Sequence, residues 1–262
     1  MGHGQKRRIR FLDELRGLCV VLMVAYHALF VIGYLFNVSV AHVLFDFFTP
    51  VQPFFAGLFV VICGISCHLS HNNLKRGLLL AGFAAVLSAV MWCAVKWGIL
   101  DQYSYIWFGV LHCLAACILL YTVFNPTLRL LPPWLGILIN AVLLAFTWHV
   151  PYDNGGFFGI PGLFSLPVPQ APPNTPWLYP FGLCPVYGAS DYFPLIPWFF
   201  AFLIGTYIGV WARNGKFPKT LYRSRVPFLS TVGRHALWVY ALHQPIIYLI
   251  CLGISELIAL LS

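Results

Sequence analysis

The sequence predicts an all-α membrane protein, a polytopic bundle of about seven transmembrane helices with an irregular outer cap loop. Two observations support this fold class. Hydrophobic residues make up 60% of the 262-residue chain and charged residues only 8%, and the apolar residues fall into long runs. A soluble domain typically carries about 25% charged residues, whereas a membrane-spanning helix needs ~20 mostly apolar residues. We therefore expect most of this chain to face lipid.

The apolar runs that are long enough to span a bilayer follow one another along almost the whole chain. We predict helices at about 11–35, 51–70, 77–98, 106–124, 134–150, 192–212 and 235–258. No room is left for a soluble domain, so residues 1–262 are expected to form a single transmembrane domain. The first run continues through Phe36 without a small-residue cleavage site, and we expect it to be retained as the first span rather than removed as a signal peptide.

The basic residues are distributed unevenly, and this distribution predicts the topology. Fourteen of the fifteen Lys and Arg residues lie in segments 1–16, 71–76, 125–133 and 213–234, and Lys96 is the exception. Because cytoplasmic loops carry the excess of Lys and Arg, we expect the N-terminus inside and the C-terminus outside. The net charge of +8 is then a mark of topology, and no nucleic-acid partner is expected.

The longest connection, at about 151–191, is predicted to lie on the outer side. It contains nine prolines and six glycines between positions 151 and 190, a composition that disfavours a helix or a central strand. We expect an ordered, irregular cap, since loops of this length are often functional. The alternative is a passive loop on the membrane surface. Asp191, at its end, is expected to cap the helix that follows.

Two ionisable side chains on the first helix are candidates for a functional site, because such groups are costly inside a bilayer. His27 follows Arg16 by eleven positions, which places it ~16 Å deeper and about three turns away on the same face. A cation at the inner mouth could hold an anionic ligand while the imidazole performs proton chemistry. The alternative is a structural histidine with a snorkelling arginine.

His112 and His243 also lie within predicted helices, and Gln244 and Pro245 follow the second of them. A further base, a proton relay or acceptor binding is open for these two histidines. So is the simpler role of a hydrogen-bonded core histidine.

A second group of polar residues lies at the predicted inner side and could bind a polyphosphate through charge-assisted hydrogen bonds. The group consists of Arg16, Asn73, Lys75, Arg76 and Arg234. Contact with anionic headgroups, together with topology, explains most of these bases equally well. Asn73 carries no charge and is better explained by a ligand. No cysteine or histidine group has the polar surroundings of a metal site, so none is expected.

Several short segments, taken together, resemble the transmembrane acyltransferases. The nearest resemblance is to compact bacterial relatives of heparan-alpha-glucosaminide N-acetyltransferase, and it extends over about 10–250. The segments are Asp13–Gly17 (DELRG), Gln52–Phe55 (QPFF), Asn72–Gly77 (NNLKRG), Phe108–His112 (FGVLH), Asp191–Pro194 (DYFP), Gly233–His235 (GRH) and His243–Pro245 (HQP).

The resemblance implies an enzyme that takes acetyl-CoA as co-substrate from the cytoplasm and acetylates an acceptor beyond the membrane. The acceptor would be an amine or hydroxyl, on the nearest resemblance that of a small glycan or amino sugar. Arg16 and His27 match the arginine and histidine of the Arg-x10-His motif of the wider superfamily. The lysosomal enzyme has asparagine at the position of His27, and its catalytic histidine has His42 as nearest counterpart here. We expect His27 to be the catalytic base, with His42 as the alternative.

Two other functions remain open from the sequence. The chain could be a proton-coupled transporter or channel whose pathway is lined by His27, His112 and His243, or a non-catalytic membrane scaffold. Direct transfer and an acyl-histidine intermediate are both open for the enzyme, as is a homodimer. The expected location is the bacterial cytoplasmic membrane, in contact with its lipids.

Overall fold

The computed structural model describes residues 8–100, 104–151, 156–169, 171–172, 175–184 and 191–261. In these ranges the chain is predominantly helical, as predicted. The helices are α1 (Arg10–Phe30), α2 (Ser39–Phe48), α3 (Gln52–Leu69), α4 (Asn73–Lys96), α5 (Val110–Leu128), α6 (Pro133–Thr147), α7 (Leu195–Arg213), α8 (Pro227–Arg234) and α9 (Ala236–Leu261).

Six helices of the described residues are long and apolar enough to cross a membrane: α1 with its continuation to Tyr34, α3, α4, α5, α7 and α9. This confirms the all-α polytopic fold class. The predicted fifth span is α6, whose 15 residues rise only ~22 Å, against a hydrocarbon core of ~30 Å. With the N-terminus inside, the C-terminus lies outside only if α6 also crosses, as the seventh span. This topology stays a prediction. Lys6 and Arg7 of the basic N-terminal segment lie outside the described residues.

The chain divides into two compact units, one formed by residues 1–62 with 217–262 and the other by residues 63–216. The expected single domain stays a prediction. In the first unit, α1 packs against α2, α8 and α9. The contact of α1 with α8 is backbone to backbone, because a Cβ atom on Gly17 would overlap the carbonyl oxygen of Leu229 and one on Gly233 would overlap that of Asp13.

In the second unit, α4 packs against α5, α6 against α7, and α5 against α7. The centre is apolar and fully buried, with Ile118 of α5 and Phe202 of α7 excluded from solvent. The outer surface of α4 is apolar as well, since Leu78, Leu79 and Val86 are exposed. Exposed apolar side chains along a helix suit contact with lipid tails.

The long connection between α6 and α7 contains a small β-hairpin that the sequence did not predict. Strand β1 (Phe157–Ile160) pairs antiparallel with β2 (Phe164–Pro167), and a 3₁₀-helix (Pro176–Phe181) follows. Gly159 makes the pairing possible, since its φ is +140° and a Cβ there would overlap the carbonyl of Phe164. Residues 152–155, 170, 173–174 and 185–190 of the predicted cap lie outside the described residues.

Asp191 does not cap the helix that follows it, which corrects the expectation from sequence. The N-cap position of α7 is Pro194. Asp191 instead has a positive φ of 55° and accepts a hydrogen bond through Oδ2 from the backbone N–H of Val110, at 3.4 Å. It therefore caps the first turn of α5, and the preceding residue is Gly109 because a Cβ there would meet the carboxylate.

Candidate active site

Two histidines of the first unit meet inside its helical bundle. His27 of α1 and His243 of α9 have ring centroids 4.9 Å apart at an interplanar angle of 49°. Nε2 of His243 lies 3.2 Å from Nδ1 of His27. The sequence named both residues separately, and the structure brings them into contact.

The hydrogen bonds fix which ring nitrogen of each neutral imidazole carries the proton. Nδ1 of His243 lies 2.6 Å from the carbonyl oxygen of Tyr240. A carbonyl oxygen can only accept, so Nδ1 of His243 is protonated and its Nε2 is an acceptor. Nδ1 of His27 faces that Nε2 and, at 3.1 Å, the carbonyl oxygen of Met23. His27 therefore carries its proton on Nδ1.

The consequence is a basic nitrogen at Nε2 of His27. Among the described residues this atom has no hydrogen-bond partner, so its lone pair is available to accept a proton or to attack a carbonyl carbon. If Nε2 takes up a proton, the positive ring still has two acceptors at Nδ1. This arrangement, a base oriented by a second group, is the one that acid–base and nucleophilic catalysis both require.

Local irregularities of the two helices flank this pair. Beyond Phe30 the chain continues as one turn of π-helix, Val31–Leu35, a distortion that is frequent at functional sites. Pro245 lies inside α9, two positions after His243, and removes a backbone donor from the helix. The sequence indicated the second irregularity, because proline is visible there, but gave no sign of the first.

Arg16, predicted as the cation of the inner mouth, is held within α1. Its Nη1 lies 3.4 Å from Oδ1 of Asp13, three positions earlier in the same helix. Arg8 binds the same carboxylate through Nε at 2.6 Å and Nη2 at 3.1 Å. Hydrogen bonding to Asp13 raises the pKa of Arg8 above its usual value. Asp13 thus orders two arginines at the start of the helix.

Glu14 is a structural residue that the sequence reasoning missed. Its Oε1 accepts hydrogen bonds from Oγ of Ser224 at 2.7 Å and from the backbone N–H groups of Arg225 and Val226 at 2.6 and 2.9 Å. The carboxylate is buried and ties the start of α8 to α1. The available signal was an acid at the start of an apolar run, because an acid that becomes buried there needs hydrogen-bond partners.

Arg234 does not open the last helix, as the sequence reading placed it, but ends α8. Its Nη2 donates to Oγ1 of Thr231 at 3.1 Å, and the side chain is exposed. His235 also contacts α8, with Nδ1 3.0 Å from the carbonyl oxygen of Thr231. The role of Arg234 in ligand binding stays a prediction.

His42, the alternative catalytic residue, belongs to α2 in the same unit. Its Nδ1 lies 3.2 Å from Oδ2 of Asp46, and the hydroxyl of Tyr34 donates to Oδ1 of that carboxylate at 3.2 Å. The rings of Tyr34 and His42 are 4.2 Å apart. Both side chains of this contact are exposed, with 43% of the His42 side chain and 57% of the Asp46 side chain accessible.

In the second unit, Arg76 contacts two cysteine thiols of α3 and Asn73 contacts the backbone of that helix. Nη2 of Arg76 lies 3.2 Å from Sγ of Cys63 and Nη1 lies 3.9 Å from Sγ of Cys67. Nδ2 of Asn73 donates to the carbonyl of Cys67 at 2.9 Å, and its buried Oδ1 accepts no hydrogen bond from any described residue. Lys75 is exposed, and its backbone N–H bonds to Oδ1 of Asn72 at 2.8 Å, which caps α4.

His112, also in the second unit, has both ring nitrogens engaged. The hydroxyl of Ser88 donates to the carbonyl of Ile106 at 2.7 Å, so its oxygen accepts from Nε2 of His112 at 3.3 Å. Nδ1 of His112 accepts from the backbone N–H of Gly109 at 3.3 Å. These contacts make His112 a capping residue of α5, and its predicted catalytic role stays a prediction.

Comparison with known proteins decides the family. The family model described as heparan-alpha-glucosaminide N-acetyltransferase, catalytic, matches residues 8–245, which is most of the chain. The chain belongs to the heparan-alpha-glucosaminide N-acetyltransferase family. No curated protein and no solved structure gives a significant match.

Family membership confirms the resemblance read from the sequence motifs. The match includes His27 and His243 and ends at Pro245. As a member of the heparan-alpha-glucosaminide N-acetyltransferase family with six helices of spanning length, the protein is a multi-pass transmembrane acetyltransferase.

Proposed function

We propose that the protein transfers the acetyl group of cytoplasmic acetyl-CoA to an amine or hydroxyl of an acceptor beyond the membrane, with His27 as the catalytic residue. The observation that carries the proposal is the fixed Nδ1–H tautomer of His27, with Nε2 left as a free base. His243 is the positioning residue. The proposed location is the bacterial cytoplasmic membrane, and an amino sugar or other small glycan is the proposed acceptor.

The proton balance of direct transfer follows from this tautomer. Nε2 of His27 takes the proton of the acceptor N–H or O–H as that atom attacks the thioester carbonyl. The resulting imidazolium keeps both acceptors of its Nδ1–H, the carbonyl of Met23 and Nε2 of His243. When the carbon–sulfur bond breaks, the same proton passes from Nε2 to the leaving thiolate. The products are the acetylated acceptor and free CoA, and His27 returns to its neutral state.

The acyl-histidine route uses the same nitrogen as a nucleophile. Nε2 of His27 would attack the thioester and hold the acetyl group until the acceptor displaces it. Gln244, next to His243, is the proposed donor to the oxyanion in either route. The further catalytic role predicted for His112 is not assigned to a step of either route, and both of its ring nitrogens have hydrogen-bond partners.

The second unit offers a chemically suitable place for the phosphates of acetyl-CoA. Arg76 contacts the cysteine side chains of α3 rather than a carboxylate, so it forms no ion pair with an acidic side chain among the described residues. Oδ1 of Asn73 is a buried acceptor without a donor, and such groups are costly unless a partner binds. We propose that these two residues contact the donor and that Lys75 supplies further positive charge in the same unit. In the first unit, taken by itself, Arg16 and Arg234 are proposed as anion-binding residues.

Proteoliposomes provide the test. With labelled acetyl-CoA sealed inside and a panel of amines and amino sugars outside, mass spectrometry should find acetylated acceptor in the outer solution. A proton-coupled transporter or channel would instead move solute or protons through the histidine pathway in vesicles that contain no acetyl-CoA. Solute flux without donor, together with no acetylated product, would overturn the proposed function.

A further inference from the structure

The second unit contains a cavity. None of the site residues predicted from the sequence belongs to its lining. The cavity holds about 370 Å³ and lies where α5 and α7 end and α6 begins, next to the segment 125–133 predicted to be cytoplasmic. Its volume is in the range of small-molecule sites, roughly 300–1,000 Å³. We call it the basic pocket, and it is lined by His68, Tyr121, Asn125, Leu128, Arg129, Leu131, Pro133, Thr206, Tyr207, Val210, Arg213 and Asn214.

The walls of the basic pocket are held in place by hydrogen bonds and close packing. The hydroxyl of Tyr121 lies 2.9 Å from Nε2 of His68, and a Cβ on Gly209 would come within 2.9 Å of the His68 ring. The hydroxyl of Tyr207 donates to the carbonyl of Leu128 at 3.1 Å, while its ring fills the space that a side chain on Gly136 would need. A cavity with such walls is formed before any ligand arrives.

The charge of the basic pocket is positive, and no carboxylate is among the residues that line it. Arg129 and Arg213 both line it, and Nε of Arg129 is oriented by Oδ1 of Asn125 at 2.9 Å. Among the described residues of 63–216 the sole carboxylate is Asp191, and that group caps the opposite end of α5. The two guanidinium groups thus share a cavity with amides, hydroxyls and an imidazole.

We propose that the basic pocket is a binding site for a phosphate group, separate from the histidine pair and independent of the proposed function. Arg129 and Arg213 hold the anion, because guanidinium groups bind phosphate oxygens in pairs of charge-assisted hydrogen bonds. Asn125 and Asn214 offer amide donors beside them. Tyr207 and Val210 provide an apolar wall for whatever carries the phosphate, either a nucleotide or the headgroup of an anionic lipid.

Two probes distinguish these sources on the purified full chain in neutral detergent. Adenosine 3′,5′-bisphosphate is the soluble phosphate, and dihexanoyl phosphatidylglycerol is the lipid phosphate. Calorimetric titration should show saturable binding of at least one probe. Changing Arg129→Gln together with Arg213→Gln should weaken that binding by about tenfold or more. The matched control, Lys219→Gln with Arg223→Gln, removes the same charge from exposed residues outside the pocket and should change it less than about twofold.

Chemical protection of the unmodified protein gives a second readout, which does not require the variant to fold. Phenylglyoxal should label Arg129, Arg213 and Arg223, and the bound probe should protect the first two but not the third. Binding of one probe alone identifies the source, and binding of both with the same arginine dependence supports a general phosphate site. The proposal is overturned if neither probe binds saturably, or if the two variant pairs lose binding equally. Both outcomes can be told from failure of acetyl transfer, which this experiment does not measure.

Discussion

Nε2 of His243 accepts a hydrogen bond from Nδ1 of His27 over 3.2 Å, and this bond joins the first and last long helices of the first unit. It belongs to a chain that begins at the carbonyl of Tyr240 and ends at the free Nε2 of His27. In this series of hydrogen bonds, each imidazole proton lies on the Nδ1 atom of its ring. The Nε2 atom of His27 is therefore the basic nitrogen.

His243 is therefore expected to act on the rate through His27 rather than on substrate binding. Replacing His243 by Leu removes the acceptor of Nδ1–H and should lower kcat by about 10- to 100-fold, the range of one hydrogen bond to a charged group. The KM for acetyl-CoA should change little. His243→Gln can place an amide oxygen there and should recover part of the loss, which steady-state kinetics on the two variants would reveal. If kcat/KM falls equally in both variants and the fall comes from a higher KM, His243 has a binding or folding role instead.

Acetyl-CoA should raise the melting temperature of the protein, because a ligand that binds only the native state stabilises it. Arg76→Gln removes the cation next to Cys63 and Cys67, and we expect the acetyl-CoA-dependent rise to be lost. Differential scanning fluorimetry in detergent measures it. Arg223→Gln serves as the control, since that residue is exposed and distant in sequence from the proposed contacts. A full rise in the Arg76 variant would remove this residue from the donor site.

The contact of α1 with α8 should be highly sensitive to added side chains. Gly17→Ala places a Cβ against the carbonyl of Leu229, and we expect a loss of about 1–3 kcal/mol in the free energy of unfolding, as for overpacking elsewhere. Gly82→Ala in α4 meets nothing within 4 Å and should be neutral or slightly stabilising. Thermal or denaturant unfolding of both variants gives the comparison. Equal stability would show that these two helices do not pack as closely as the structure places them.

The crossing of α6 decides the side of the C-terminus. The distribution of basic residues predicts that the N-terminus lies inside. If α6 crosses as well as the six longer helices, the number of spans is odd and the C-terminus lies outside. A C-terminal alkaline phosphatase fusion should then be active and a green fluorescent protein fusion dark. The reverse pattern would mean that α6 does not cross, since its ~22 Å rise is short for the bilayer.

The sequence predicted the long helices well because their apolar runs are the dominant signal. It missed α2, since only ten residues, Ser39–Phe48, form a helix too short to span. It began the third span at 77, whereas Asn72 caps α4 at Asn73. Both differences are local. The start of α4 could have been predicted from its capping residue, Asn72.

The site was predictable in its members but not in its connections. His27 stood out as an ionisable group at depth, and His243 as a histidine two positions before a proline. Their contact depends on how α1 packs against α9, and the two helices are far apart in the sequence. Asp191 shows the same limit, since its partner Val110 is 81 positions away in the chain and no local pattern indicates it.

Single-turnover acetyl transfer from labelled acetyl-CoA, compared between His27→Ala and His42→Ala, tests the central claim most directly. The free Nε2 predicts that the His27 variant loses about 10²- to 10⁴-fold in rate, the range of a general base, while the His42 variant stays within a few-fold of the unmodified enzyme. Full transfer by the His27 variant, with loss in the His42 variant, would contradict the assignment and move the catalytic role to His42.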